Sequence, residues 1–491
     1  MLFGKKEKQL SEDMNLKKRN RKKTVKMGLY SIVMSAAAIG VVIGINLFMN
    51  SLPSDKVKYD TTPEDIYSLS DQSKKIAEGI DEEVTIYLLA SETEKDTSLY
   101  EFLERYAAQN DKIKVEEKDP VLYPNFASEY TDEDVAKNSI VIVSGKRGKY
   151  IPYSDIYVSD YTLNYSTYQY ETTTSFDGEN CITSALDYVT SEDLPVVYLL
   201  TGHGEESLSD YSSEIEKTIS DENITFTELS LVKEGAVPED AAAVMIFAPT
   251  ADLSGDELSM LRTYAQTGGK FFVLTDFIGD DMANLKALLA DFGMEPVEGI
   301  VLEGDKEYYY QYQSYLLPDI LSHDITAPLS GNYYLLMGNV QGVKEVEDIA
   351  DNIEVAPLLQ TSDSAYSKLD GYHITTYEKE EGDIDGPFYL AAASAATGED
   401  YTSQMVYIPS TMFLSDQLNQ LISGANHDFF MNSLEWLCDR EDTISIRAKS
   451  LNVEMLTIDE KTALNWEILL MGILPAALLI FGGFVIYKRR K

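Results

Sequence analysis

The stretch Pro195-Val196-Val197-Tyr198-Leu199-Leu200, running into Thr201-Gly202-His203-Gly204-Glu205, decides the fold. An apolar run of this length fits a strand buried on both faces, and glycines end it in a tight turn. A helix follows, with Tyr211, Ile215 and Ile219 four apart. Residues 224–229 (ITFTEL) alternate as a strand, and 242–248 (AAVMIFA) form another buried-type strand ending at Pro249. Ser254 and Glu257 make a capping box before Leu258, Leu261 and Ala265, and Gly268-Gly269 stop that helix directly before the strand 270–274 (KFFVL). Such alternation of strand and helix predicts a Rossmann-like parallel sheet covered on both faces. Strands are expected again at 307–315, 387–393 and 404–408, and a helix at 428–437. This larger domain is placed at residues 193–441.

Upstream lies a smaller α/β domain, residues 51–192. Its expected order is a strand at 83–89, a helix at 97–108 with Leu99, Phe102, Leu103 and Tyr106 on one face, and a strand at 112–117. A short helix through Phe126 and Tyr130 comes next, then strands at 139–143 and 149–153 around a Gly145/Gly148 turn. This is a thioredoxin-like order without the redox chemistry, because no cysteine falls between residues 83 and 153.

Two apolar segments flank the pair. Residues 27–49 and 468–487 carry no charge, and at about 1.5 Å per residue each is long enough for a hydrocarbon core of about 30 Å. The tail 1–26 holds ten Lys or Arg against three acids, and 488–491 is Lys-Arg-Arg-Lys, so both ends read as cytoplasmic. A cleaved signal peptide is the competing reading of the first segment, but the apolar run is long and Phe48-Met49-Asn50-Ser51 offers no small-residue cleavage pattern. The expectation is a two-pass plasma-membrane protein with transmembrane helices at 27–50 and 466–487. A juxtamembrane stretch spans 442–465, and residues 51–465 lie outside the cytoplasm.

Composition narrows the function. The chain of 491 residues carries 82 Asp and Glu against 40 Lys and Arg, a net charge of −42, which argues against a nucleic-acid partner. The basic tails account for +7 and +4, leaving −53 on the remainder. With four histidines, none within five residues of another, and two cysteines 257 positions apart, a His/Cys zinc motif is absent. No metal or cofactor is expected. No phosphate-binding G-x-x-x-x-G-K-[ST] loop and no G-x-S-x-G elbow occurs.

Several short motifs then occur in order. They are Phe176-Asp177-Gly178-Glu179 with Ile182-Thr183-Ser184-Ala185, Pro195 to Tyr198 with Thr201 to Glu205, Ala248-Pro249-Thr250-Ala251-Asp252-Leu253-Ser254, and Gly268-Gly269. The tail adds Asn426-x-Asp428-Phe429-Phe430-x-Asn432-x-x-x-Trp436-Leu437. This series resembles the GldG-type auxiliary proteins of gliding-motility ABC transport systems, over most of residues 60–491 and most closely over 185–275. The resemblance implies a class I glutamine amidotransferase-like extracytoplasmic domain. It also implies work beside a separate cytoplasmic ATPase and an export-type permease supplied in trans. Two departures stand out: no multi-helix permease is attached, and Ile408-Pro409-Ser410 stands where a Gly-Asp-Ser-like turn is expected. The function so implied is that of a non-catalytic accessory subunit, with homo-oligomerisation left open. A cell-envelope hydrolase or amidase and a stand-alone glycan-binding module are the alternatives.

The loop Thr201, Gly202, His203, Gly204, Glu205 and Glu206 is the sharpest local feature. At the carboxyl end of a sheet strand it suits a ligand or partner site. Equally, the glycines serve only the turn, and His203 and Glu205 hold it. Cys181 and Cys438 read as packing residues. Gly382-Asp383-Ile384-Asp385-Gly386 looks like a calcium loop but lacks the remaining acidic ligands, so it reads as a polar turn. Tyrosines cluster at Tyr157, Tyr161, Tyr165 and Tyr168 and again at Tyr308, Tyr309 and Tyr310, as an interaction surface or as half-buried strand edges.

Overall fold

The computed structural model describes residues 34–35, 37, 39–44, 66–132, 134–145, 147–164, 169–191, 194–331, 333–440, 446, 448–451, 475, 482 and 487–488. The protein is a mixed α/β molecule with a parallel-rich sheet. Met1–Tyr157 with Asp177–Ala448 form one compact unit, and Val158–Phe176 with Lys449–Lys491 a second. Among the described residues no helix is long and apolar enough to cross a membrane. The second expected transmembrane segment and both basic tails fall almost wholly outside the described residues, as do more than half of the first and most of the juxtamembrane stretch.

The smaller lobe of the first unit begins with α1 (Asp71–Gly79), capped by the Ser70 hydroxyl, which accepts from the Ser73 amide at 3.2 Å. Then come β1 (Val84–Leu88), α2 (Thr97–Ala107), β2 (Ile113–Glu117), β3 (Ile140–Ser144) and β4 (Arg147–Ile151). The sheet order is β2-β1-β3-β4, with β1 and β2 parallel and β3 antiparallel to both of its neighbours. Leu99, Phe102, Leu103 and Tyr106 of α2 are all buried, as their spacing predicts. The expected helix through Phe126 shrinks to one 3-10 turn, Ala127–Glu129. Asp119-Pro120 and Pro124 precede it, and a proline biases the residue before it away from helix.

A hairpin follows, β5 (Tyr157–Asn164) and β6 (Gln169–Phe176), joined by β16 (Lys449–Ser450) in a three-stranded sheet. Then α3 (Gly178–Thr190) returns to the first unit. Its Glu179 is buried, accepting from the Ser73 hydroxyl at 2.7 Å and the Ser70 amide at 2.6 Å.

The larger lobe carries β7 (Val196–Leu200), α4 (Ile215–Asp221), β8 (Thr225–Leu229), β9 (Ala241–Phe247), α5 (Gly255–Ala265), β10 (Lys270–Leu274) and α6 (Ala283–Ala290). After these come β11 (Met294–Pro296), β12 (Val343–Glu345), β13 (Ile353–Gln360), β14 (Tyr389–Thr397), β15 (Thr402–Ile408) and α7 (Ala425–Leu437). Five strands run parallel in the order β8-β7-β9-β10-β15, and β14 continues the sheet antiparallel to β15. Their apolar runs bury both faces. Met245, Phe247, Phe272, Leu274 and Ile408 face α4 and α7, while Val244, Ile246, Phe271, Val273 and Tyr407 face α5 and α6. Each such fully buried side chain contributes about 1.5 to 3 kcal/mol.

Two expectations fail locally. The helix expected through Tyr211 and Ile219 is broken into Leu208–Tyr211 and α4. The Ser212 hydroxyl causes the break by accepting from the amides of Glu214 (3.2 Å) and Ile215 (3.1 Å). The strand expected at 307–315 is mostly turns, with Tyr315–Leu316 a two-residue strand and Tyr309 bridged to Leu316. There the Tyr310 amide bonds back to the Tyr315 carbonyl at 2.8 Å, and Gln311 takes φ +58°.

Candidate functional site

The β8-β7-β9 order makes the carboxyl end of β7 the point where the connections diverge to either side, the place where open α/β sheets bind ligands. The loop Thr201 to Glu206 sits there. Thr201 is tied to the end of β8, its amide bonding the Leu229 carbonyl at 2.9 Å. Gly202 and Gly204 take φ +124° and +74°. At Gly204 a side chain is excluded twice, because a Cβ would lie 2.1 Å from Thr250 Oγ1. The carbonyl of His203 accepts from the amides of Thr250 and Ala251, both at 2.9 Å. The loop after β7 is thereby stapled to the loop after β9.

His203 is at the centre of that staple. Its Nδ1 lies 2.8 Å from Glu205 Oε1 and its Nε2 3.1 Å from Glu257 Oε2, with the His203 side chain 6% exposed. Glu205 Oε2 also accepts from the amides of Gly202 (2.9 Å) and His203 (2.8 Å). Glu257 is the third residue of α5 and completes the predicted capping box, accepting from the Ser254 amide at 2.9 Å. Hydrogen bonding to Glu205, reinforced by Glu257 against the effect of burial, raises the His203 pKa to about 9. Burial pushes both carboxyls up, but the imidazolium and the amide or hydroxyl donors prevail and hold them below the ordinary glutamate value. At neutral pH the trio is an imidazolium between two carboxylates, with both ring nitrogens engaged.

Beside the loop opens a cleft of about 810 Å³, lined by Gly202, Glu206, Glu216, Phe226, Glu228 and Phe247 among others. Aromatic side chains and carboxylate acceptors in one lining suit a hydroxyl-rich or cationic molecule. Glu206 accepts from the Tyr211 hydroxyl at its rim.

The cysteines stand apart from this cleft, and both are free. Cys181 in α3 has its thiol 3.6 Å from the Asp155 carbonyl and 3.8 Å from Asp177, and burial raises its pKa well above the ordinary thiol value. Cys438 ends α7, where burial pushes its thiol up to about 12. Neither has the lowered pKa of a thiolate nucleophile. In the segment read as a polar turn, Asp383 is engaged by Lys368 at 3.1 Å and by the Glu380 amide at 2.8 Å.

The tyrosines divide. Tyr165 and Tyr168 lie outside the described residues, and Tyr161 is placed only as a residue of β5. Tyr157 is half-buried, packing at 5.0 Å from the Tyr153 ring. Tyr308 and Tyr309 are half-buried and Tyr310 is exposed, with the Tyr308 hydroxyl donating to Asp319 at 3.3 Å.

Sequence reading missed a buried charge cluster formed by the end of α4, the turn into β8, α3 and β4. Lys149 Nζ lies 2.7 Å from Asn223 Oδ1, and Arg440 reaches the Glu222 carbonyl at 2.7 Å and the Asp187 carboxylate. Burial raises the pKa of Asp177 to about 8 and of Glu222 to about 7, in the latter against the pull of Arg440 and Lys149. Asp221-Glu222-Asn223 between an amphipathic helix and a strand was its one visible trace.

Residues 63–159, the smaller lobe's sheet and its flanks, match a family described as a Domain of unknown function (DUF7088). Among solved structures the chain is similar to one titled "mmIFT52 N-terminal domain", at 13% identity and a TM-score of 0.38, covering 49% of this chain and 97% of that one. No curated protein matches the sequence.

Proposed function

We propose that the chain is a membrane-anchored, extracytoplasmic accessory subunit of an ABC export-type transport system, acting without catalysis of its own beside a separate ATPase and permease. The observation that carries this reading is the state of His203. In the loop after β7, His203 has both ring nitrogens held by carboxylates, which suits a clamp rather than a general base. Two uncharged segments with basic flanks support the anchoring, and the ordered motifs from Phe176 to Trp436 support the GldG-type resemblance. The β2-β1-β3-β4 order fits a thioredoxin-like lobe, and five parallel strands ordered 2-1-3-4-5 fit a Rossmann-like, amidotransferase-like one. In this reading the anchors lie against permease helices, and the tyrosine-rich turn at Tyr308 to Tyr310 contacts protein.

The test is recovery of the full-length protein from its native membrane after brief cross-linking, with identification of what accompanies it. A P-loop ATPase and a multi-helix permease are expected. The protein alone, with working cross-linking controls, would overturn the proposal. The cleft beside Phe226 favours a second reading, a glycan-binding module, for which saturable binding of envelope oligosaccharides by the full chain is the discriminating result.

A further inference from the structure

In the segments that follow β7 and β15, Glu214, Asp416 and His427 each place one donor atom within 4.8 Å of the others. Glu214 immediately precedes α4, Asp416 begins the short helix Asp416–Leu421 after β15, and His427 is in the first turn of α7. They are separated by up to 213 residues, so no spacing motif announces them. His427 is buried and Glu214 is exposed to solvent. His427 Nε2 lies 3.0 Å from the Leu414 carbonyl oxygen and 3.9 Å from Asp416 Oδ1. Asp416 Oδ2 is held from the other side, accepting from the amide and hydroxyl of Ser213, both at 3.3 Å.

Asp416 Oδ1 itself is buried and has no hydrogen-bond partner. A buried carboxylate oxygen normally finds a donor, because one left unpaired keeps the full cost of its lost hydration. The contrast with His203 is direct: there each ring nitrogen meets a carboxylate oxygen at bonding distance, whereas here one carboxylate oxygen faces an imidazole nitrogen too distant to bond it. One imidazole and two carboxylates are a donor set for a divalent metal of the zinc or manganese type.

We propose that Glu214, Asp416 and His427 bind a divalent transition-metal ion. Tetrahedral zinc with bonds of about 2.0 to 2.2 Å sets its donor atoms about 3.3 to 3.6 Å apart. The cluster must therefore contract, and the exposed Glu214 carboxylate is the group free to swing in. The Leu414 carbonyl oxygen offers a fourth donor. Binding requires the Nε2 lone pair, so the imidazole proton moves to Nδ1 or, from imidazolium, one proton is released. The ion would tie the segment before α4 to the start of α7, two elements that cover the same face of the parallel sheet.

The test uses the full-length chain purified in detergent, stripped with a chelator and titrated with zinc ion, reading bound metal by equilibrium dialysis. Wild type is compared with Asp416→Asn and Glu214→Gln, both at sites partly open to solvent, so that neither empties the core. Circular dichroism confirms the fold of each. One equivalent of zinc, with affinity lowered at least tenfold in each variant, is expected. Absence of stoichiometric binding, or either variant binding like wild type, would overturn the proposal.

Discussion

Two histidines stand above the same sheet with carboxylates around them, and their surroundings differ in one respect. His203 has a partner on each nitrogen, and its two glutamates are satisfied by amides and hydroxyls as well. His427 has a carbonyl on Nε2 and a carboxylate oxygen beyond bonding distance that nothing else pairs. Complete pairing makes a buried charge cluster part of the scaffold, whereas an unpaired oxygen leaves room for a ligand. The motif most conspicuous in the sequence is thus the one the fold consumes, and the donor set with capacity to spare is the one no local pattern reveals.

The largest effect that could break this comparison is expected from His203→Ala. It leaves Glu205 and Glu257 buried without their cation, and should destabilise the larger lobe by about 3 to 5 kcal/mol in chemical denaturation of the full chain. A change within 1 kcal/mol would mean that the trio is not a clamp. Gly204→Ala should cost about 2 kcal/mol, from the left-handed backbone and the Thr250 contact together. Adding Thr250→Ala should recover part of that loss by removing the contact, leaving the backbone strain.

A smaller effect is expected from pH. The folded-state pKa of His203 lies above its ordinary value, so its contribution is fully present below about pH 6.5 and is lost as pH rises through about 9. The raised carboxyls act in the same direction: Asp177 and Glu222 favour the folded state when protonated, and that contribution fades as pH climbs to about 8 and about 7 respectively. The denaturation midpoint should therefore fall between pH 6.5 and 9, and the fall should be shallower in His203→Gln. Least of all, Tyr308→Ser with Tyr310→Ser should change stability by no more than about 0.5 kcal/mol each while reducing cross-linked partner recovery.

Much of the architecture was legible because both lobes write their strands as apolar runs. Residues 84–88, 196–200 and 270–274 read correctly since their side chains are buried or half-buried throughout, and Ser254 with Glu257 announced α5 through its cap. Where pattern failed, a local hydrogen bond had overruled it. The Ser212 hydroxyl split one helix, and backbone turns at Tyr310 and Tyr315 replaced a strand that β-propensity favoured. In the candidate site, the loop and its glycines were readable, but the role of Glu257 was not. Its carboxylate reads as a capping-box partner in sequence, and only the parallel β7-β9 pairing brings it to His203, 54 residues away. Asp416 and His427 were hidden for the same reason, with Glu214 contributed from the other side of two intervening strands.

The most direct test of the central claim runs three full-length proteins in parallel through cross-linked recovery from native membranes: wild type, His203→Gln and the Tyr308/Tyr310 double variant. The account predicts that wild type and folded His203→Gln bring down the same ATPase and permease in similar yield, while the tyrosine variant brings down less. Failure to recover these partners with wild type, or their complete loss with a folded His203→Gln protein, would contradict it.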